Sequence, residues 1–178
     1  MRTLPDYLRP GLVVVSIGLN PSIASVEAGF YFANPRNRFW RALGAAGIAP
    51  ATLVPGPEAV RTLFDEHGIG FTDVVKRPSP GGASLRAADF ARWAPVLDEK
   101  LVANAPRIAW FHGKQAYGGY LRHARGRRET APWGLQADPT VPWRVFVTPN
   151  PSPANAAWSL DDLVRWYRRL ADLTRTVT

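Results

Sequence analysis

Leu12 to Ile17 is an aliphatic run interrupted only by Ser16 and fenced by Gly11 and Gly18. That pattern fits a strand buried on both faces. Such a strand needs a layer of helices on each side, so this one segment already points to an α/β chain rather than a bundle or a β-sandwich. Ile69 to Val75, Arg107 to His112 and Trp143 to Val147 are further strand-like runs. Helical stretches alternate with them. They are Asn37 to about Ala46, with Asn37 as N-cap and Gly47 as the stop; Val60 to Glu66; Leu85 to Asn104, with Pro95 kinking or splitting it; Gly113 to about Ala124; and an amphipathic helix from about Leu160 to Thr174. Pro78-Ser79-Pro80-Gly81-Gly82 reads as an obligatory loop. This alternation predicts parallel pairing with right-handed crossovers, giving a three-layer α/β/α sandwich around a central, mainly parallel sheet of four to five strands.

A chain of 178 residues at 46% hydrophobic suits one well-packed domain spanning 1–178 and is short for two. Cysteine is absent. That excludes a disulfide framework, a thiolate zinc site and a Cys-ligated iron–sulfur cluster. No apolar run reaches membrane-spanning length and no basic-then-apolar segment opens the chain, so the expectation is a soluble, cytoplasmic monomer with no membrane partner. The formal charge is +8, most of the excess being Arg, whose planar fork suits bidentate phosphate recognition. Nucleic acid is the natural polyanionic partner, and a basic surface kept only for solubility is the alternative.

Two polar loops each follow directly on a strand-like run: Gly18-Leu19-Asn20-Pro21-Ser22 and Thr148-Pro149-Asn150-Pro151-Ser152-Pro153. In an open α/β sheet, ligands collect in the crevice beyond the carboxyl ends of the strands, so these loops are expected to be two lips of one site. An amide at Asn20 cannot take a proton as a carboxylate does, but its oxygen can hold and aim a water. That suits a reaction whose leaving group departs early, such as loss of a base from deoxyribose through an oxocarbenium-like sugar. A strand-ending Asn-Pro turn is the plainer alternative.

The neighbours of Asn20 carry a resemblance. Gly18-Leu19-Asn20-Pro21-Ser22 is followed by Gly29-Phe30-Tyr31-Phe32-Ala33-Asn34-Pro35-Arg36-Asn37-Arg38-Phe39-Trp40. Gly70-Phe71-Thr72-Asp73-Val74-Val75-Lys76-Arg77, Gly113-Lys114-Gln115-Ala116-Tyr117, Trp133-Gly134-Leu135-Gln136 and Asn150-Pro151-Ser152 come after it in order. Together these resemble the mismatch-specific uracil/thymine DNA glycosylases, a branch of the uracil-DNA glycosylase superfamily, over nearly the whole chain. The long first block with its Asn-Arg-Phe-Trp tail is the most specific part. The resemblance implies that Asn20 positions the attacking water and that Phe32 stacks on the extruded base. It also implies that Asn150, Pro151 and Ser152 lie against the minor groove and contact phosphate. The family's wedge, a bulky Leu or an Arg, is missing: the aligned stretch is Pro153-Ala154-Asn155-Ala156, with Ala154 and Asn155 as DNA-facing candidates, so either Asn155 or nearby Trp158 fills the gap or the enzyme prefers bases that are already unpaired. Asn at both 20 and 150, where the highly active uracil-specific branch has Asp and His, implies a slower and less strictly uracil-specific enzyme.

Because an amide is a poor base, most acceleration is expected from a preorganised pocket for the departing base anion, with backbone amides around Leu19, Ser22 and Ser25 as candidate donors. Asp89, at the start of the helix near Leu85, is a second candidate water activator, against a solvated or Arg86- or Arg92-paired carboxylate. Asp73 is a weaker candidate, His112 reads as a structural histidine, and Lys114 is a phosphate-steering candidate at a helix start. Arg36, Arg38 and Arg41, with Arg122, Arg125, Arg127 and Arg128, form two possible phosphate rails. The reading is a monofunctional glycosylase without metal or cofactor that flips out and excises uracil, notably from U·G mismatches, with other damaged pyrimidines or thymine as further substrates, from double-stranded or single-stranded DNA, leaving an abasic site. No lysine is obviously placed as a Schiff-base nucleophile. Its rivals are a non-catalytic binder of damaged or single-stranded DNA and a nucleotide or nucleoside hydrolase, the latter without a P-loop or a carboxylate cluster for Mg²⁺.

Overall fold

Five strands form one sheet in the computed structural model, which describes Met1–Thr178. They are β1 (Val14–Gly18), β2 (Ile69–Asp73), β3 (Ile108–His112), β4 (Gly134–Gln136) and β5 (Arg144–Thr148), ordered β2-β1-β3-β5-β4. β1 pairs in parallel with β2 and β3, and β3 with β5; β4 alone is antiparallel, at the edge beside β5. The helices are α1 (Ile23–Ala28), α2 (Phe39–Ala45), α3 (Pro57–His67), α4 (Ala87–Asn104), α5 (Lys114–Ala124) and α6 (Leu160–Val177). The fold is therefore the expected mainly parallel α/β sheet between helices.

Strand alternation sorts the core into two sides. Val14, Ile69, Phe71, Ile108, Trp110 and Phe146 point to one side, where α2, α3 and α6 supply Phe39, Leu43, Leu63, Leu163 and Tyr167. Val15, Ile17, Ala109, Phe111, Val145 and Val147 point to the other, against Phe90, Leu97 and Leu101 of α4 and Tyr117, Tyr120 and Leu121 of α5. The connection from β1 leads outward to β2, and the next crosses back over β1 to β3. The order reverses between β1 and β3, which is where a crevice opens in such sheets.

Several elements depart from the sequence reading. α1 is a six-residue helix that no apolar period announces; Ser22 caps it by accepting from the Ser25 N–H. β4 is three residues long and carries no apolar run, so only its pairing with β5 reveals it. Asn37 stands one residue before the N-cap of α2, which is Arg38, yet its Oδ1 still accepts the Phe39 N–H at 2.9 Å. α4 neither splits nor stops at Pro95. Pro95 and Ala91, the residue whose carbonyl loses its partner, are both exposed, so the missing bond costs little where solvent can take its place. No helix is long and apolar enough to cross a membrane.

Phe39 is the hub of the α2/α6 side. It stacks on Phe32 at 4.1 Å and meets Trp40 and Phe71 edge-on, with Trp110 tilted at 5.8 Å. Tyr167 packs edge-on against Trp110 at 4.8 Å, and its hydroxyl is buried without a partner. A buried hydroxyl with no bond contributes nothing that a ring alone would not. Tyr167→Phe should therefore match or exceed the wild-type stability in urea denaturation, within about 1 kcal/mol. A loss of about 2 kcal/mol or more would show that the hydroxyl is bonded.

Candidate active site

Beyond the carboxyl ends of β1, β2, β3 and β5 lies a cavity of about 460 Å³. Its walls are Gly18 to Ser22 and Ser25, then Tyr31 and Phe32, Asp73, Ser79 to Gly82, His112, and Asn150 with Ser152 to Ala154. The two loops singled out in the sequence, 130 positions apart at Asn20 and Asn150, do form opposite lips. The volume falls within the roughly 300–1,000 Å³ of small-molecule sites.

Asn20 is held by its amide nitrogen. Nδ2 donates to the Arg77 carbonyl at 3.0 Å and to Ser79 Oγ at 2.7 Å, with a longer 3.3 Å contact to the Pro21 carbonyl. Ser79 spends its own proton on the Gly81 carbonyl, so its oxygen must accept from Asn20. That orients the amide: both N–H groups point into the protein, and Oδ1, with no protein partner, is left as a free acceptor on the cavity wall. Ser22 and Ser25 brace the same lip. Ser22 Oγ donates to Ser25 Oγ at 2.9 Å, and Ser25 Oγ accepts the Ala33 N–H at 3.1 Å. The Ser25 backbone N–H is bound to Ser22 Oγ at 3.0 Å, so it is not open to a ligand as expected. Leu19 reaches the wall with its carbonyl tied to the Val75 N–H. Phe32 lines the cavity from a backbone at φ 58, a left-handed conformation rare for an aromatic residue.

The second lip is fastened by Arg38. Its guanidinium donates to the carbonyls of Ser152 at 3.0 Å, Asn155 at 3.1 Å, Pro151 at 3.4 Å and, closely, Trp158, while its backbone N–H bonds the Pro151 carbonyl at 3.2 Å. A rigid five-donor fork suits a loop that presents several carbonyls at once. Arg38 is thus a clamp, not a phosphate rail. Within the loop, Asn150 Oδ1 accepts the Ser152 N–H at 2.9 Å, and Asn155 Nδ2 donates to the Asn150 carbonyl at 3.0 Å. Gly113, at φ +97, packs so close that an added Cβ would sit 3.3 Å from that of Asn150. Asn150, Ser152 and Ala154 line the cavity. Pro151 and Asn155 do not; they hold the loop through its main chain.

Two cavity residues were underrated from the sequence. Asp73 ends β2 fully buried, 3.4 Å from Lys76 Nζ, which also bonds Asp6 at 2.9 Å; Lys100 completes the group at 2.6 Å from Asp6. Burial raises the Asp73 carboxyl to about 6 against the pull of Lys76. His112 ends β3, buried, and burial pushes its imidazole down to about 3. The available signal was a polar residue closing an apolar run for His112 and an ionisable one closing a buried strand for Asp73.

Other candidates lie elsewhere. Asp89 is outside the cavity: both its oxygens take the Arg77 guanidinium at 2.7 Å, and Oδ2 also accepts the Arg86 N–H as the cap of α4. The bidentate hydrogen bonds from Arg77 hold its carboxyl down at about 2, so it is a poor proton acceptor in the wrong place. Lys114 lies over the Trp133 ring at 4.6 Å, away from the cavity, and Trp133 in turn meets Trp158 edge-on. Of the second arginine group, Arg125 pairs with Asp98 and Arg127 with Glu129 and Asp138, leaving Arg122 and Arg128 without an ion pair. No three His, Asp or Glu side chains gather as a metal-holding group.

The folded-state value of Asp73 lies above its ordinary 3.8, so the folded protein binds that proton more tightly and loses stability as pH rises through about 4 to 6. Asp73→Asn removes this dependence. In urea titrations its stability relative to wild type should rise between pH 4 and pH 7, and a constant difference would contradict the assignment. Arg38→Met should leave the sheet intact but expose the 150–158 loop to proteolysis, while unchanged cleavage there would show that the clamp is dispensable.

A family model described as the Uracil DNA glycosylase superfamily matches residues 5–173. Among solved structures, an NMR structure of a candidate uracil DNA glycosylase from Methanosarcina acetivorans is similar in fold, with a TM-score of 0.63 and 24% identity over 96% of this chain and 98% of that one. The family match spans every element that shapes the cavity, and the protein therefore belongs to the uracil DNA glycosylase superfamily and is a DNA glycosylase.

Proposed function

We propose that the protein is a monofunctional glycosylase that hydrolyses the N-glycosidic bond of uracil in DNA, foremost in U·G mismatches, in the manner of the mismatch-specific branch. The carrying observation is the orientation of Asn20: its nitrogen is consumed within the protein, and its oxygen is left free in the cavity that Phe32 also lines. A nucleotide turned out of the duplex would place its base against the Phe32 ring, with its sugar toward Asn20. Water held by Oδ1 adds its oxygen to C1′, the C1′–N1 bond breaks, and the proton released by the water ends on the departing base. The abasic site remains with the strand uncut.

The 150–158 loop would meet the DNA backbone. Its carbonyls face inward to Arg38, which leaves Ser152 and the outer loop surface toward phosphate. Pro153 and Ala154 offer little to insert into a duplex. This favours bases that are already weakly paired, a mismatch or a single strand, where extrusion costs least. The same lack of a wedge is the one observation in favour of a non-catalytic binder.

Labelled oligonucleotides carrying U·G, U·A, T·G or single-stranded U, treated with alkali after incubation, separate the readings. Wild type should give alkali-labile ends, fastest with U·G or single-stranded U, and Asn20→Ala should lower single-turnover rates by about 100-fold. Asp89→Ala should stay within a few-fold of wild type while losing thermal stability, because it breaks a cap and an ion pair rather than a catalyst. Binding without labile ends in wild type would favour the non-catalytic reading.

A further inference from the structure

The floor of the cavity is one row of the sheet. In the parallel register Gly18 lies beside Asp73, and His112 beside Thr148, all at the carboxyl ends and on the side covered by α2 and α6. Gly18 stands between Asp73 and His112 and contributes no side chain. Asp73 leans into that gap: a Cβ built on Gly18 would sit 2.6 Å from its Oδ1. His112 borders the gap from the opposite strand.

The imidazole is fixed from below. Its Nε2 lies 2.8 Å from Ser16 Oγ, and that hydroxyl has no other partner for its proton. The arrangement that satisfies Ser16 has the hydroxyl donating to Nε2, which leaves the ring's own proton on Nδ1. Nδ1 is buried and bonded to nothing. The surrounding rings do not supply an acceptor. Phe32 and Phe39 approach edge-on at 5.1 and 5.5 Å, and Trp110, tilted at 4.3 Å, gives its indole N–H to Thr148 Oγ1. A buried donor without an acceptor is rare enough in folded proteins to ask for a reason, and a ligand that brings the acceptor is one.

We propose that His112 reads the everted base, its Nδ1–H donating to a ring carbonyl while Ser16 holds the imidazole in the donating tautomer. This rests on the glycosylase reading above. A neutral donor is matched to the chemistry, because charge accumulating on the leaving base strengthens the hydrogen bond without a cation in the resting site. The low basicity of the buried ring keeps it neutral across the working range. The contact is selective as well: a base presenting an amino group at this point would set N–H against N–H.

The test is single-turnover excision from oligonucleotides containing uracil, 2-thiouracil or 4-thiouracil, with wild type, His112→Leu and His112→Asn. His112→Leu should lose about 100-fold in rate. It removes one orphaned buried donor but takes the acceptor from Ser16 Oγ, so the double variant Ser16→Ala/His112→Leu, which leaves neither group unpaired, should show the same rate loss with a thermal midpoint at or above that of His112→Leu. His112→Asn, which restores an N–H near Nδ1, should recover to within about tenfold of wild type. Sulfur changes the leaving ability of the base for every variant, so the readout is relative: at the contacted carbonyl it should shrink the rate ratio of wild type to His112→Leu, because a poorer acceptor weakens the contact only where the donor exists. The proposal is overturned if His112→Leu cuts uracil at the wild-type rate, or if it loses rate but keeps the same thio effects as wild type. A wild type that leaves uracil untouched would instead bring down the glycosylase reading, and this proposal with it.

Discussion

The guanidinium of Arg38 is the contact on which the site depends. It reaches from the start of α2 to the main-chain carbonyls of Pro151, Ser152, Asn155 and Trp158. Although it closes turns from the Ser152 N–H to Asn150 Oδ1 and from the Asn155 N–H to the Ser152 carbonyl, the loop with Pro149, Pro151 and Pro153 lacks three backbone N–H donors. One fork of donors from outside replaces them. The segment that carries Phe32 and the segment that carries Asn150 are thereby set relative to one another, and the cavity between them has a defined width.

The architecture was largely legible in the sequence because its cause is local. Both-face burial of Leu12–Ile17, Arg107–His112 and Trp143–Val147 shows as apolar runs, and parallel strands between helical stretches leave few arrangements open. The misses were elements without a local signature. α1 is a single capped stretch with no period, and β4 exists through its partner strand. Pro95 misled for the opposite reason: a strong local breaker is tolerated where the lost bond faces water.

The site was legible at its lips and obscure at its floor. Asn20, Phe32 and Asn150 sit in motifs that imply a role, whereas Asp73, though inside the Gly70–Arg77 block, and His112, at the end of an apolar strand, come with none, and only the register shows them flanking the bare Gly18. Asp89 had the right chemistry for a base, but its position depends on Arg77, twelve residues away across a loop. Arginine roles were the least readable. A fork that grips carbonyls and a fork that grips phosphate look the same in one dimension, and Arg38, Arg125 and Arg127 all prove to be internal fasteners.

Phe32 carries a consequence for how this protein can change. Its left-handed backbone would suit glycine or asparagine far better than a ring, and a side chain is kept there at a cost of roughly 1–3 kcal/mol because it lies flat on Phe39. Loop shape and aromatic surface are therefore one trait rather than two. A mutational route that relaxes the chain with glycine forfeits the flat platform, and one that enlarges the ring must still accept the twist. Descendants of this sequence can retune the cavity far more cheaply from the strand ends beneath it than from position 32 itself.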